Sequence, residues 1–208
     1  MNSEHSGMSS EVEKVESEVK GVLLNGEVYD DDALGRVGGL LIHELEKVKC
    51  RLETFRLRNK EIVPCQGCFG CWVRTPGECL MEDDSKAIVR AMVGADLIVL
   101  LTPVTFGGYS SELKKALDRS ICLVSPFFMT IHGETHHKPR YDWSPRLLGI
   151  GVTEDRDSEC VQIFTSLVER NAINFHAPAY SASVIDPKSS LQDMRSDLAR
   201  AISELEIF

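Results

Sequence analysis

The chain has 208 residues, 43% hydrophobic and 26% charged, enough for one α/β domain with a substantial core. Its formal net charge of −9 argues against nucleic acid or an anionic membrane surface as the main partner. No apolar run approaches the roughly 20 residues that span a bilayer. Seven cysteines cannot all pair in disulfides, and Met1 to Lys20 lacks the basic and apolar regions of a signal peptide. A reducing cytoplasm is therefore the expected location.

Residues 1–19 are rich in Ser and Glu and read as an acidic tail, although Val12, Val15 and Val19 also have helical spacing. Gly21 to Gly26 (GVLLNG) predicts a buried strand closing on a glycine turn. After the acidic turn Glu27 to Asp32, the stripe Leu34, Val37, Leu40, Leu41, Leu45 and Val48 predicts a helix. Arg51 to Leu57 alternates polar with apolar, as an edge strand does. Asp83 and Asp84 are expected to cap a helix carrying Ile88, Val89, Met92 and Val93. Ala95 to Leu101 is the most continuous apolar run, a central parallel strand, and Ser110 or Ser111 starts the next helix. Residues 121–145 read as a long irregular insertion. Arg146 to Val152 predicts a strand, Val161 to Val168 a helix, Pro178 to Ile185 a last strand and Leu191 to Leu205 a closing helix.

Strands alternating with helices predict a parallel sheet covered on both faces. Five such units give a doubly wound, flavodoxin-like α/β domain over 20–208, in the order 2-1-3-4-5. Ligands of that architecture lie beyond the carboxyl ends of the strands, here the loops after Asn25, Leu57, Leu101 and Val152.

The second of those loops, Ile62 to Asp84, carries Cys65, Cys68, Cys71 and Cys79 in C-x2-C-x2-C-x7-C spacing. Gly67 and Gly70 permit a tight backbone that points three thiols into one concave face. Three irons of a [4Fe–4S] cluster suit that face, with Cys79 folding back as fourth ligand. Structural zinc and thiols without metal are the alternatives. Cys50, Cys122 and Cys160 read instead as buried small hydrophobes.

The segment Pro64 to Trp72, then Pro76 to Cys79 and Asp83-Asp84, resembles the iron–sulfur flavoproteins and the wider NADPH-dependent FMN reductase group. Ala95 to Val99 running into Thr102 to Gly107, with Leu113-Lys114 and Leu117 to Arg119, is similar to that group's flavin-ring segment. The resemblance implies FMN at the strand ends, Asn25 and Gly26 included. It implies a ring resting against Thr102, Pro103, Val104, Thr105, Phe106 and Gly107, with backbone N–H groups on the ring oxygens and Phe106 as an apolar wall. It further implies NAD(P)H as candidate electron donor, a small-molecule or protein acceptor, and a homodimer or homotetramer.

The chain departs from the group at the first loop. A phosphate dianion wants helix N-terminal N–H groups and hydroxyl or basic donors. Glu27 to Asp32 offers four carboxylates, with only Arg36 and the Tyr29 hydroxyl nearby to help.

His132, His136 and His137 with Glu134 match no familiar metal spacing. They read as a loop over the flavin, a subunit contact or solvated surface. Arg140 is either a dinucleotide-phosphate contact or surface, and Thr153 to Asp155 either rim the crevice or cap the next helix. Trp72 shields a cluster or packs under the flavin. Two functions follow. One is an FMN-dependent oxidoreductase or electron carrier; the other is a flavin-free binding or assembly protein whose cysteine loop holds zinc or nothing.

Overall fold

The computed structural model describes residues 18–155 and 157–207. The expectation of an acidic tail falls on residues outside that range, except that Val19, assigned to the tail, is the first residue of a strand.

Five strands form one parallel sheet: β1 (Val19–Asn25), β2 (Cys50–Arg56), β3 (Leu97–Pro103), and the strands Arg146–Val152 and Tyr180–Ile185. Two more strands, β4 (Val124–Ile131) and β5 (Glu134–Pro139), form a separate hairpin, so the last two of the sheet are β6 and β7. The sheet order β2-β1-β3-β6-β7 is the expected 2-1-3-4-5 order with the hairpin inserted after the third strand. β2 is an edge, as its alternation indicates.

Helices cover both faces. On one side α1 (Asp32–Lys47) and α6 (Leu191–Ser203) bury Leu34, Val37, Leu41, Met194 and Leu198 against Leu23, Val99, Leu101, Leu148 and Ile150. On the other side lie α3 (Ser85–Val93), α4 (Ser111–Arg119) and α5 (Ser158–Asn174). These bury Ile88, Met92, Leu113, Phe164 and Val168 against Val22, Leu24, Ile98 and Leu100. Successive residues of β1 and β3 thus feed opposite cores, which is why those strands read as unbroken apolar runs. α5 sits close because β6 offers Gly149, where a Cβ would stand 2.4 Å from Val168 Cγ2. The short turn α2 (Gly70–Val73) lies inside the cysteine loop.

Three expectations are corrected. The insertion is a hairpin, not an irregular loop, turning at His132 and Gly133, both at positive φ. β3 runs on to Pro103, because Thr102 and Pro103 still pair with Gly151 and Val152. Asp84 holds the N-cap position of α3 without a side-chain cap; Asp83 instead accepts the Ser85 N–H.

Candidate functional site

Three loops meet at the carboxyl end of the sheet, and Ser110 joins two of them. Its hydroxyl caps α4 by accepting the Leu113 N–H at 3.3 Å and donates to the Gly26 carbonyl at 2.5 Å. Its own N–H donates to Thr102 Oγ1 at 3.0 Å, and Thr102 is fully buried. Gly26 must be glycine, since a Cβ would stand 2.7 Å from Ser110 Oγ and 2.8 Å from Leu113 Cβ. The end of β1, the end of β3 and the start of α4 are therefore one hydrogen-bonded unit.

From that unit the turn Val104–Tyr109 projects. Val104 N–H donates to Val152 O, while Thr105 and Gly108 exchange N–H···O bonds of 3.0 and 2.9 Å. Among the described residues the N–H groups of Phe106 and Gly107 have no acceptor. Phe106 lies at the tip, fully exposed, at φ +49. A bulky side chain in the left-handed region is strained by about 1–3 kcal/mol, and such strain clusters at ligand sites. Of the expected ring contacts, Phe106 is exposed; Gly107 is buried against Ile163, Thr102 is interior and Pro103 closes the strand. Replacing Phe106 by glycine should raise stability by up to about 1 kcal/mol, read by thermal unfolding, while weakening flavin binding.

Tyr109 closes the turn. Burial pushes its hydroxyl up to about 12, and Asn171 Nδ2 donates to it at 3.0 Å. It also lines a cleft of about 290 Å³ between α4, α5 and the hairpin.

The first loop is acidic as the sequence states; Asp30, Asp31 and Asp32 are exposed, but Glu27 is turned inward. Glu27 is buried, and its Oε1 accepts the Asp31 N–H at 3.1 Å. Asp31 caps α1, its Oδ1 accepting the Ala33 and Leu34 N–H groups at 2.8 and 3.2 Å. Glu27 N–H is held by Asn25 Oδ1 at 2.9 Å. The base that balances this loop is Arg58, which the sequence did not reveal. Its Nε lies 3.4 Å from Glu27 Oε2, and its Nη2 hydrogen-bonds Asp30, holding that carboxyl below its ordinary value. Arg36 is elsewhere, donating to Pro187 O at 2.6 Å. Three N–H donors at the start of α1, those of Asp31, Ala33 and Leu34, are already taken by the chain's own carboxylates. At about 5 Å and an effective dielectric of about 20, each like-charge pair would cost about 3 kcal/mol. The turn after β3 fits a flavin ring; the first loop does not fit the FMN phosphate.

The cysteine loop closes at its neck. Glu61 and Asp84 exchange backbone and side-chain bonds, and Asp83 Oδ2 accepts the Val63 N–H at 3.0 Å. Arg119, at the end of α4, donates to the Val63 carbonyl and to both oxygens of Asp83, at 2.7 and 3.2 Å. The two side chains are 1% and 5% exposed. Burial alone would raise the Asp83 carboxyl; hydrogen bonds from Ser85, Val63 and Arg119 outweigh it and hold the group below its ordinary value. Farther up, Lys86 pairs with Glu78 and Glu82, and Trp72 Nε1 donates to Ile121 O and Val124 O at the hairpin root.

Within the loop, Gly67 and Phe69 take positive φ. Burial raises the Cys71 thiol, and the neighbouring Cys79, Cys65 and Cys68 raise it further, so the four sulfurs share one neighbourhood. They are not drawn in tightly: Cys65 and Cys68 are exposed, and no three His, Cys, Asp or Glu among the described residues are grouped to hold a metal. In kind the donor set fits iron–sulfur chemistry, four thiols with no competing carboxylate between Cys65 and Cys71. Cys50 and Cys122 are buried as expected, both pushed up to about 11 by burial, whereas Cys160 is half-buried.

The histidines have structural partners. His136 lies 3.1 Å from Asn174 Oδ1 and 3.2 Å from Glu134 Oε2. His137 is flanked by Trp72 and Phe128 at ring separations of 4.7 Å. Arg140 donates to the Cys122 and Val124 carbonyls. Lys188 pairs with Glu154, and Asp155 Oδ1 accepts the Asp157 N–H; among the described residues no side chain of Thr153 to Asp155 caps α5.

The family model described as NADPH-dependent FMN reductase matches residues 20–141, more than half of the chain. The chain belongs to that family. Curated relatives include an iron–sulfur flavoprotein of Methanocaldococcus jannaschii, 44% identical over 68 residues, 33% of this chain and 34% of the relative. Another, from Methanosarcina thermophila, is 37% identical over 71 residues, 34% of this chain and 36% of the relative. The matches thus span about a third of each relative's length. Among solved structures, an NAD(P)H:quinone oxidoreductase from Methanothermobacter marburgensis superposes with a TM-score of 0.66 at 13% identity, covering 92% of this chain and 99% of the other. An FMN-dependent NADH-azoreductase from Bacillus anthracis, in complex with FMN, gives 0.61 at 11% identity, covering 89% and 96%. At such identities the likeness is one of fold, and it agrees with the flavodoxin-like architecture. No described helix is long and apolar enough to cross a membrane.

Proposed function

We propose that this chain is an NAD(P)H-dependent flavin oxidoreductase that exchanges electrons between a flavin at the β3–α4 turn and a [4Fe–4S] cluster on Cys65, Cys68, Cys71 and Cys79. One observation carries the reading: α4 anchors both loops. Ser110 at its start fixes the turn for the ring, and Arg119 at its end fixes the neck of the cysteine loop. Nine residue steps of α-helix are about 13 Å, so the two loops are held at short, fixed range.

A bound flavin supplies two-electron and one-electron chemistry in one molecule. The chain's part is placement. The Phe106 and Gly107 N–H groups would donate to ring oxygens and the Phe106 side chain would close one face against water, while burial favours the protonated Tyr109 hydroxyl. Trp72, pinned at the hairpin root and stacked on Phe69 at 5.4 Å, excludes water from one side of the thiols. Nicotinamide dinucleotide is the electron donor in this reading, and the acceptor is a small molecule or a protein. A homodimer or homotetramer in the cytoplasm completes it, with exposed Phe106 available to the contact.

Anaerobic purification with assays for iron, sulfide and flavin tests the proposal. About four irons and four sulfides per chain are expected, together with flavin. Cys79→Ser should lower the iron content severalfold and leave flavin binding in place. Zinc, or no metal, in anaerobically prepared protein would overturn the cluster. The filled first loop favours one other reading, a flavin-free binding or assembly protein of the same fold. Protein that binds neither flavin nor iron would establish it.

A further inference from the structure

We propose that the flavin site of this chain selects a flavin without its terminal phosphate, taking riboflavin in preference to FMN. The proposal rests on the reading that the β3–α4 turn receives a flavin ring.

The argument concerns hydrogen-bond partners. In a doubly wound sheet the far end of a ligand lying over the strand ends meets the loop into α1, where free N–H groups would take an anion. Here Asp31 Oδ1 accepts from Ala33 and Leu34, and Glu27 Oε1 accepts from Asp31. The two carboxylates stand in for the anion the loop would otherwise bind. Glu27 is only 6% exposed, so it cannot relieve a dianion by swinging into solvent without unburying itself. Among the described residues the nearby cations are too few for the four carboxylates: Arg58 is shared by Glu27 and Asp30, Arg36 is fixed on Pro187 O, and Arg56, exposed at the end of β2, acts on Asp30. The loop cannot simply recede, because Gly26 is tied to Ser110 and has no space for even a Cβ.

The same groups suit an uncharged tail. A carboxylate only accepts hydrogen bonds, and a ribityl chain ending in a hydroxyl has donors to offer it. Glu27, Asp30 and Asp31 repel a phosphate and accept from a polyol.

The test titrates flavin-free protein with riboflavin and with FMN, following quenching of flavin fluorescence. Riboflavin is expected to bind on the order of tenfold tighter than FMN or better at low salt. Added salt should strengthen FMN binding by screening and leave riboflavin unchanged. The variant Glu27→Gln with Asp31→Ser keeps a capping hydroxyl at α1. It should improve FMN by on the order of tenfold and shift riboflavin little. Circular dichroism of the variant confirms that the fold is retained. FMN binding tighter than riboflavin in the unaltered chain overturns the proposal, as does equal affinity that the double variant does not change. Binding of neither flavin, nor of the bare ring compound lumiflavin, overturns the ring site itself and is thereby distinguished from a failure of tail selection alone.

Discussion

Replacing Arg119 by alanine should destabilise the protein by about 3–5 kcal/mol, because it leaves Asp83 buried and without its counter-ion. The guanidinium also holds the Val63 carbonyl, so its loss opens the neck of the cysteine loop as well as removing an ion pair. Urea unfolding measures the first effect and iron content the second. Arg119→Lys keeps the charge but not the fork that reaches both Asp83 oxygens, and should fall between. Asp83 also sets a pH dependence, through the hydrogen bonds from Ser85 and Val63 first and Arg119 after them. Asp83 has its carboxyl held below the ordinary carboxylate value in the folded state. Its contribution is therefore present above the unfolded-state value and is lost as pH falls through the lower, folded one. The acid arm of the stability profile should flatten in Arg119→Ala. A loss under about 1 kcal/mol, the size of an exposed ion pair, would contradict the clamp.

Ser110→Ala should cost about 2–3 kcal/mol, the sum of a lost helix cap and a stranded Gly26 carbonyl. Its functional signature differs from that of Arg119. The β1 end, the β3 end and the start of α4 would lose their shared bond, so flavin affinity should fall severalfold, while iron content stays at the level of the unaltered chain. Parallel flavin titrations and iron assays of the two variants check this. Identical loss of both cofactors in both variants would mean general unfolding rather than two separately anchored loops.

The parts of the fold carried by local pattern were legible in the residues. The run Ala95 to Leu101 marked a strand buried on both faces, and the stripe from Leu34 to Leu45 marked α1. Ser110, a small hydroxyl residue before a helical stripe, announced the cap it provides. The hairpin was not legible, for physical reasons. VSPFFMTI contains a proline and is largely exposed, and ETHHKP has no apolar alternation. Its one signal was Gly133, which with His132 takes the positive φ that a two-residue hairpin turn requires.

Arg119 and Arg58 were missed for a different reason. Each is a charge whose meaning depends on a partner distant in sequence, Asp83 for one, and Glu27 and Asp30 for the other. A basic residue at a helix end or after an edge strand otherwise reads as solvated surface. The acidic loop itself was legible as a conflict with phosphate. That Glu27 turns inward and Asp31 takes the first α1 N–H groups follows only from the folded backbone.

An anaerobic reductive titration tests the central claim most directly. Protein prepared without oxygen and saturated with riboflavin is reduced stepwise while its visible spectrum is recorded. About three electron equivalents per chain are expected, two for the flavin and one for the cluster, with both chromophores bleaching. Uptake of two equivalents with no iron absorption would leave a flavin protein without a cluster. Uptake of none would contradict the redox function altogether.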